Sequence, residues 1–412
     1  MDLEQQLRET YAGRLDTLRT SGGDVAAARH AGARMRVRRR LAVGAASVAV
    51  VAVAAAGSLL GTGRLSIGPS DGRGQWRELP AAPLAPRADA LAVWTGREVV
   101  VLGGETQPCA PNADFCASGR ERRDGAAYDP RSNTWRAIPP APVPVGPGDR
   151  LVVADGVVVL RHWRPHGSSW FTYEPDHNRW SRIGGVPAQV GDLPSAIGPR
   201  VYVPVGRRIA VYDVTRFRWS LLPPDPVQPP LTQRRVTATP YGPVVTGYAS
   251  TGPGHGPAPT APVVADVYDG TAWHRLPPSG IGGNDWSWAG DRMVDFDSFD
   301  HQGIQGARGL SLGGLLDPSS GRWSPLPGSA LETPEDSWSP VAIGPGRWAA
   351  CWGLVYDVAG GEAWTLPRPP GALDQGTTAV WVGGSLFAFG GADLSGEASL
   401  LHTTDKAWLY TP

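Results

Sequence analysis

Lysine is nearly missing from this chain. Lys406 is the only one among 38 basic residues, and every other is arginine. With 54 glycines and abundant alanine, this bias points to a high-GC bacterial genome. Net charge is missing too. The 38 acidic residues balance the basic ones, and the pI is about 7.1. That balance argues against a nucleic-acid-binding surface, which needs an excess of cations. Cysteine is scarce, at three residues, which excludes a disulfide-dense scaffold. No Ser or Cys triad, phosphate-binding loop or HExxH motif is present. No His or third Cys stands at ligand spacing from a cysteine pair, so no metal and no cofactor is implied.

Long hydrophobic runs are absent except for one. Residues 41–60, "LAVGAASVAVVAVAAAGSLL", carry no charge and no proline. Twenty such residues match the hydrocarbon thickness of a bilayer. Arg34, Arg36, Arg38, Arg39 and Arg40 precede them, and Arg64 alone follows closely. The positive-inside rule then puts residues 1–40 in the cytoplasm and the rest outside. The expectation is an uncleaved single-pass signal-anchor in a bacterial cell membrane. A cleaved signal peptide with "AAA" at 54–56, or a twin-arginine signal through Arg38-Arg39, are the alternatives. Before the run, Leu3, Leu7, Tyr11, Leu15 and Leu18 share one helical face, so residues 1–33 offer a surface for a cytoplasmic partner or a solvated tail. Residues 61–74 read as a flexible tether, with a reach of about 20 Å as a coil.

The rest of the chain repeats one phrase. "YDPRSNTWRAIPP" at Tyr128 returns as "YEPDHNRWSRI" at Tyr173 and "YDVTRFRWSLLPP" at Tyr212. It returns again as "YDGTAWHRLPP" at Tyr268, "LDPSSGRWSPLP" at Leu316, "YDVAGGEAWTLPRPP" at Tyr356 and "LHTTDKAWLYTP" at Leu401. Trp135, Trp180, Trp219, Trp323 and Trp408 each stand seven residues after the Tyr or Leu. Trp273 comes two residues early and Trp364 one late. Successive Trp residues are 39 to 54 apart, a spacing that marks a repeat architecture. Asp, Pro and Asn between the Tyr and the Trp are turn residues, so each phrase is a hairpin. Upstream of each hairpin lies another apolar pair, as in "ALAVWTG" with "EVVVLGG" at 90–104. Each unit is therefore a meander of four short strands, apolar on both faces, that must stack on its neighbours.

This pattern resembles the kelch repeats of β-propellers. Gly103-Gly104, Tyr128 and Trp135 carry the full signature, and Gly390-Gly391 with Trp408 carry it with Leu401 in the Tyr place. The five middle copies keep only the hairpin part. The resemblance covers about residues 86–412 and implies an all-β propeller, with seven four-stranded blades expected and six or eight as alternatives. It does not imply a chemistry, because function lives in sites grafted on folds. The propeller is expected to span 75–412. Tyr128, Tyr173, Tyr212, Tyr268 and Tyr356 are expected in the core with Trp135, Trp180, Trp219, Trp273, Trp323, Trp364 and Trp408. One Trp can bury about 200 Å², worth up to about 5 kcal/mol. Their repetition argues against an exposed sugar-stacking platform. "QWRELPAAP" at 75–83 is an eighth phrase, and it either closes the ring or adds an outer strand.

In such a meander the 1–2 and 3–4 turns share one face and the 2–3 and 4–1 loops the other. The long loops, 105–123, 225–235, 248–262 and 298–309, fall on the second face, where recognition is expected. Candidate ligand residues there are Arg120, Arg122, Arg123, Arg234 and Arg235 for an anionic group. "NDWSWAGDRMVDFDSFDH" adds Asp285, Asp291, Asp295, Asp297, Asp300 and His301 as oxygen ligands or an acid pair, although the spacing matches no EF-hand loop. Solvated loop charges are the plainer reading of both groups. Cys109 and Cys116 flank six residues in the first long loop and are expected to pair outside the cell, with two free thiols as the alternative. Cys351 reads as a small buried hydrophobe. Two functions follow: an extracytoplasmic binding or scaffold module for a protein or polysaccharide, or a secreted propeller enzyme acting on sugars. The eight histidines form no recognisable copper set of the galactose-oxidase kind, which favours the first.

Overall fold

The computed structural model describes residues 73–108, 121–164, 167–188, 190–191, 193–249, 262–296, 311–325, 341–344, 346–351, 353–373, 375–393 and 402–412. Residues 1–40, 41–60, Cys109, Cys116, Arg120, Asp297, Asp300 and His301 lie outside them. Among the described residues every regular element is a strand, and no helix is long and apolar enough to cross a membrane.

Seven four-stranded antiparallel sheets form seven blades. Blades 1 to 6 are sequential meanders over 91–138, 150–182, 195–221, 231–275, 287–325 and 342–365. Neighbouring first strands pack against each other, which makes them the innermost strands of the ring. The sheets are buried on both faces because each blade is covered by the next. Seven core clusters hold the ring together, and most draw on two successive blades.

Blade 7 is assembled from both ends of the described region. Its inner strands are Thr378–Val382 and Ser385–Phe389. Ala407–Thr411 is the third strand, not a fourth, and Gln75–Glu78 pairs with it as the outermost strand. The N-terminal segment thus closes the ring and covers an edge that would otherwise stay open.

Trp408 accordingly sits on a third strand, fully buried beside Tyr410. The Tyr–Trp place of blade 7 is filled by Tyr410 and Trp76, which stand opposite each other with ring centroids 5.2 Å apart. The same cross-strand pair recurs in Tyr128–Trp135, Tyr173–Trp180, Tyr212–Trp219 and Tyr268–Trp273, at 5.1 to 5.2 Å. Blade 4 keeps it because its 3–4 turn is shorter. In blade 5 Leu316 faces Trp323. In blade 6 Ala363 faces Tyr356, and Trp364 lies one position on. A one-residue step in a strand moves a side chain to the other face. Trp364 therefore packs toward blade 7, whereas the other pairs pack on the preceding blade.

A second regularity follows the indoles. Trp135, Trp180, Trp273 and Trp323 donate Nε1–H to the carbonyls of Pro80, Pro139, Pro223 and Pro277, each lying just past the fourth strand of the preceding blade. Pro80, Pro139, Pro223 and Pro277 stand four residues after Trp76, Trp135, Trp219 and Trp273, so each of these four phrases offers an acceptor to the next blade.

The double glycines have a steric cause. Gly103 and Gly390 hold φ of +67° and +72°, where a Cβ would lie 2.3 Å from the Val145 carbonyl oxygen and 2.5 Å from that of Arg87. Those carbonyls belong to the lead-ins of the following blades. Arg87 itself is fully buried and grips Asp124 through both terminal nitrogens at 3.1 and 2.8 Å.

Candidate functional site

A cavity of about 640 Å³ opens at the centre of the ring. Its walls come from blades 3 to 6. They are the lead-ins or starts of first strands (Leu193, Arg234, Asn284, Ile343) and the ends of second strands (Tyr248, Cys351). Antiparallel register puts those positions on one face, the face of the 2–3 and 4–1 loops. Arg234, Arg235, Asp285 and Asp295 are brought together here.

Arg234 and Arg235 lie on the first strand of blade 4, Leu231–Thr239, rather than in a loop. The register with the second strand slips between Thr232 and Arg235, and Gln233 takes a φ of 50°. Such a bulge re-aims its side chains. Arg235 pairs with the exposed Asp285 at 3.1 Å. Arg234 is only 9% exposed. Its Nη1 donates to the Gly206 carbonyl at 2.8 Å, while Nε and Nη2 are buried without an acceptor. The nearest carboxylate oxygen, Asp225 Oδ2, stands 3.9 Å from Nη2. Burial lowers the affinity of this guanidinium for its proton, and Asp225 and Asp266 oppose that effect.

Asn284 fixes the bulge from blade 5. Its Nδ2 donates to the Gln233 carbonyl at 2.7 Å, and its buried Oδ1 has no donor. Asp295 is fully buried and accepts from the Asp285 backbone N–H at 3.3 Å. Cys351 is buried as well, and burial together with the Asp295 charge pushes its thiol well above the usual range, so it is no nucleophile.

The other candidates lie elsewhere. Asp291 is on the opposite face, in the 1–2 turn of blade 5, beside Arg292 at 3.7 Å. Arg122 lies 3.6 Å from Asp124, and Arg123 donates to the Ala141 carbonyl, so both serve blade 1 and do not line the cavity. Among the described residues no three His, Cys, Asp or Glu side chains are placed to hold a metal ion. Asn284 and Gln233 escaped sequence reasoning because neither carries charge. The only local hint was the run of polar residues in "LTQRRV", out of step with strand alternation.

Behind Arg234 lies a buried ionic group. Asp266 is fully buried and chelated by Arg275. Burial and the neighbouring Asp225 carboxyl raise its pKa to about 6, against the pull of Arg275. On the opposite face a larger furrow of about 910 Å³ runs between blades 3 and 4. It is lined by turn and outer-strand residues of only two blades. The central cavity is the stronger candidate, because four blades converge on it and it holds buried polar atoms that lack partners.

The fold and this central cavity define a seven-bladed β-propeller with four-stranded antiparallel blades. No protein-family model matches the chain, and no curated protein matches it in sequence.

Proposed function

We propose that this chain is a kelch-type propeller that binds a protein or carbohydrate ligand on its 2–3 and 4–1 loop face without turning it over. In this reading residues 41–60 anchor it in a bacterial cell membrane, with residues 1–40 cytoplasmic and the propeller outside. The observation that carries the binding reading is the central cavity, where buried Arg234 and Asn284 keep unpaired polar atoms. Buried polar groups are ordinarily satisfied, so these exceptions need an account, and a bound partner is one that would supply it. The double glycines and Tyr–Trp pairs support the kelch type, and the basic run before residue 41 supports the orientation.

The test is a pull-down from cell-envelope extract, with loops 105–123 and 248–262 shortened to Gly-Ser turns in a second bait. Loss of a specific partner in the shortened form is expected. Retention of every partner moves binding to the other face. Sequencing the mature N-terminus from the membrane fraction tests the anchor, and an N-terminus near residue 57 excludes it.

A further inference from the structure

The junction of blades 1 and 2 is sealed on the face of the 1–2 and 3–4 turns. Glu98 stands just before Val99 on the second strand, and Arg136 just after Trp135 on the fourth; Arg136 grips Glu98 through Nε and Nη2. Arg136 also donates to the Tyr173 hydroxyl and to Asn178 of blade 2, at 3.2 and 2.9 Å. The hollow left there is about 430 Å³. The junction of blades 3 and 4 lacks this seal. Arg200 precedes Val201 as Glu98 precedes Val99, and Ser220 follows Trp219 as Arg136 follows Trp135. A cation and a short hydroxyl have replaced the ion pair, and the hollow widens to the furrow of about 910 Å³. Arg200 and Arg218 flank Asp213 in one cross-strand row, and all three line the furrow. Neither arginine makes an ion pair or side-chain hydrogen bond among the described residues. Asp213 is engaged in its own turn, accepting from Thr215 and the Arg216 backbone and pairing with the Arg216 guanidinium at 3.5 Å. Asp269, on the opposite wall, is engaged by Thr271, Ala272 and His274. Two exposed cations are left uncompensated. Two residues along the strands, Tyr202 and Val211 form a buried apolar row, and Tyr241 stands half exposed on the facing wall. We infer that this furrow binds an extended acidic peptide, with carboxylates received by Arg200 and Arg218 and an apolar side chain set against Tyr202, Val211 and Tyr241. It is a second site, on the face opposite the central cavity, and is independent of the loop-face reading. Guanidinium forks suit planar carboxylates, and Arg and Tyr are favoured anchors of protein interfaces. Residues i, i+2 and i+4 of an extended chain face the same way, so acid, apolar and acid at those places meet the furrow together. An anionic polysaccharide would set its hydroxyls against the apolar row, where they lose hydrogen bonds to water.

The experiment uses the full chain in detergent micelles and reads fluorescence anisotropy. The probe is a labelled, end-capped peptide with a central Leu and two Glu on each side. Its counterpart carries Gln for every Glu, and a galacturonate oligomer serves as competitor. The Glu peptide binds, the Gln peptide binds about tenfold more weakly or worse, and added salt weakens the binding. Arg200→Ser combined with Arg218→Ser lowers the affinity about tenfold, while Arg164→Ser, on the loop face, leaves it unchanged. Arg200→Glu combined with Ser220→Arg rebuilds the blade 1 pair in blade 3. It closes the furrow and abolishes binding while the melting temperature holds, which separates loss of the site from loss of the fold. Equal affinity for the Glu and Gln peptides, no effect of removing both arginines, or no binding at millimolar peptide overturns the inference. An oligomer that binds at least as tightly as the peptide also overturns it, and assigns the cations to an anionic polysaccharide. The Glu and Gln comparison uses wild-type protein, so it stands even if a variant fails to fold. Shortening loops 105–123 and 248–262 leaves peptide binding intact; its loss would place the peptide on the loop face and overturn the furrow.

Discussion

Trp76 donates its indole N–H to the carbonyl oxygen of Pro367 at 2.6 Å, across 291 positions of sequence. The bond is one more instance of the link that joins successive blades, here made by a strand from the far end of the propeller. Tyr410 strengthens the junction. Its hydroxyl accepts from Trp364 at 2.9 Å and donates to the Arg73 carbonyl at 2.6 Å.

Ring closure should therefore dominate stability. Deleting residues 73–80 leaves the third strand of blade 7 as an open edge, and the protein is expected to melt far lower and to aggregate. Trp76→Ala keeps the strand and loses the indole, at a cost of about 3 kcal/mol. Calorimetry of both variants checks this. An unchanged melting temperature in the deletion would mean that the ring closes without the strand.

Much of this architecture was legible in sequence, and the part that was not has a clear cause. The seven-residue step from Tyr to Trp reports a hairpin, which is local, so Tyr128–Trp135 and its kin could be read directly. Leu401 and Trp408 imitate that step in sequence, but Trp408 stands opposite Ala388 and Glu78. The true partners, Tyr410 and Trp76, sit on strands from opposite ends of the propeller, and no local pattern connects them. The site was half legible for the same reason. Arg234, Arg235 and Asp285 announce themselves as charges. The bulge at Gln233 and the approach of Asn284, Asp295 and Cys351 arise only when separate blades converge.

The indole-to-proline link is absent in two blades: Trp364 of blade 6 donates to the Tyr410 hydroxyl instead, and Trp219 of blade 3 makes no such bond. Trp219 Nε1 is buried with no acceptor, and the residue four past Trp180 is Gly184 instead of a proline. Gly184 has no close neighbour that an added side chain would strike. Gly184→Pro is expected to restrain the segment and aim its carbonyl as in the other blades, a gain of about 1 kcal/mol. Thermal melting tests it, with Trp219→Phe as the control: the proline should help much less when the indole N–H is gone.

Phe217 occupies the left-handed position of the blade 3 hairpin turn, at φ 53°, and is exposed. The matching positions in blades 1, 2, 5 and 6 hold Asn133, Asn178, Gly321 and Gly361. Asn133 and Asn178 accept from the hydroxyls of Tyr128 and Tyr173 at 2.8 and 2.7 Å. Phe217 offers Tyr212 no such acceptor. A left-handed bulky residue costs about 1–2 kcal/mol. Phe217→Asn should relieve that cost and add the missing bond, raising stability by about 1–2 kcal/mol. Denaturant titration is the measurement, and a loss of stability would show that the exposed ring packs on something of its own.

The last prediction concerns pH. Asp266 has its folded pKa raised to about 6 from 3.8, because burial and the Asp225 carboxyl disfavour its charge. A carboxyl raised in this way holds more protons folded than unfolded between those two values. Its contribution is therefore fully present below about pH 4 and is lost as pH rises through about 6, with a ceiling of about 3 kcal/mol. Asp89 is shifted the same way by burial. Asp269 and Asp317 are shifted down: hydrogen bonds from Thr271 and its neighbours hold the first, and at the second those from Ser319 and Ser320 outweigh burial. Their contributions fall only below about pH 4, outside this window. Comparing wild type with Asp266→Asn isolates the group. Asparagine loses the charged contact to Arg275 at every pH but cannot titrate. The advantage of wild type over the variant should be largest near pH 4 and should shrink toward pH 7. A gap that widens as pH rises would mean that Arg275 holds Asp266 ionised throughout, and that the pair stabilises the propeller as a salt bridge instead.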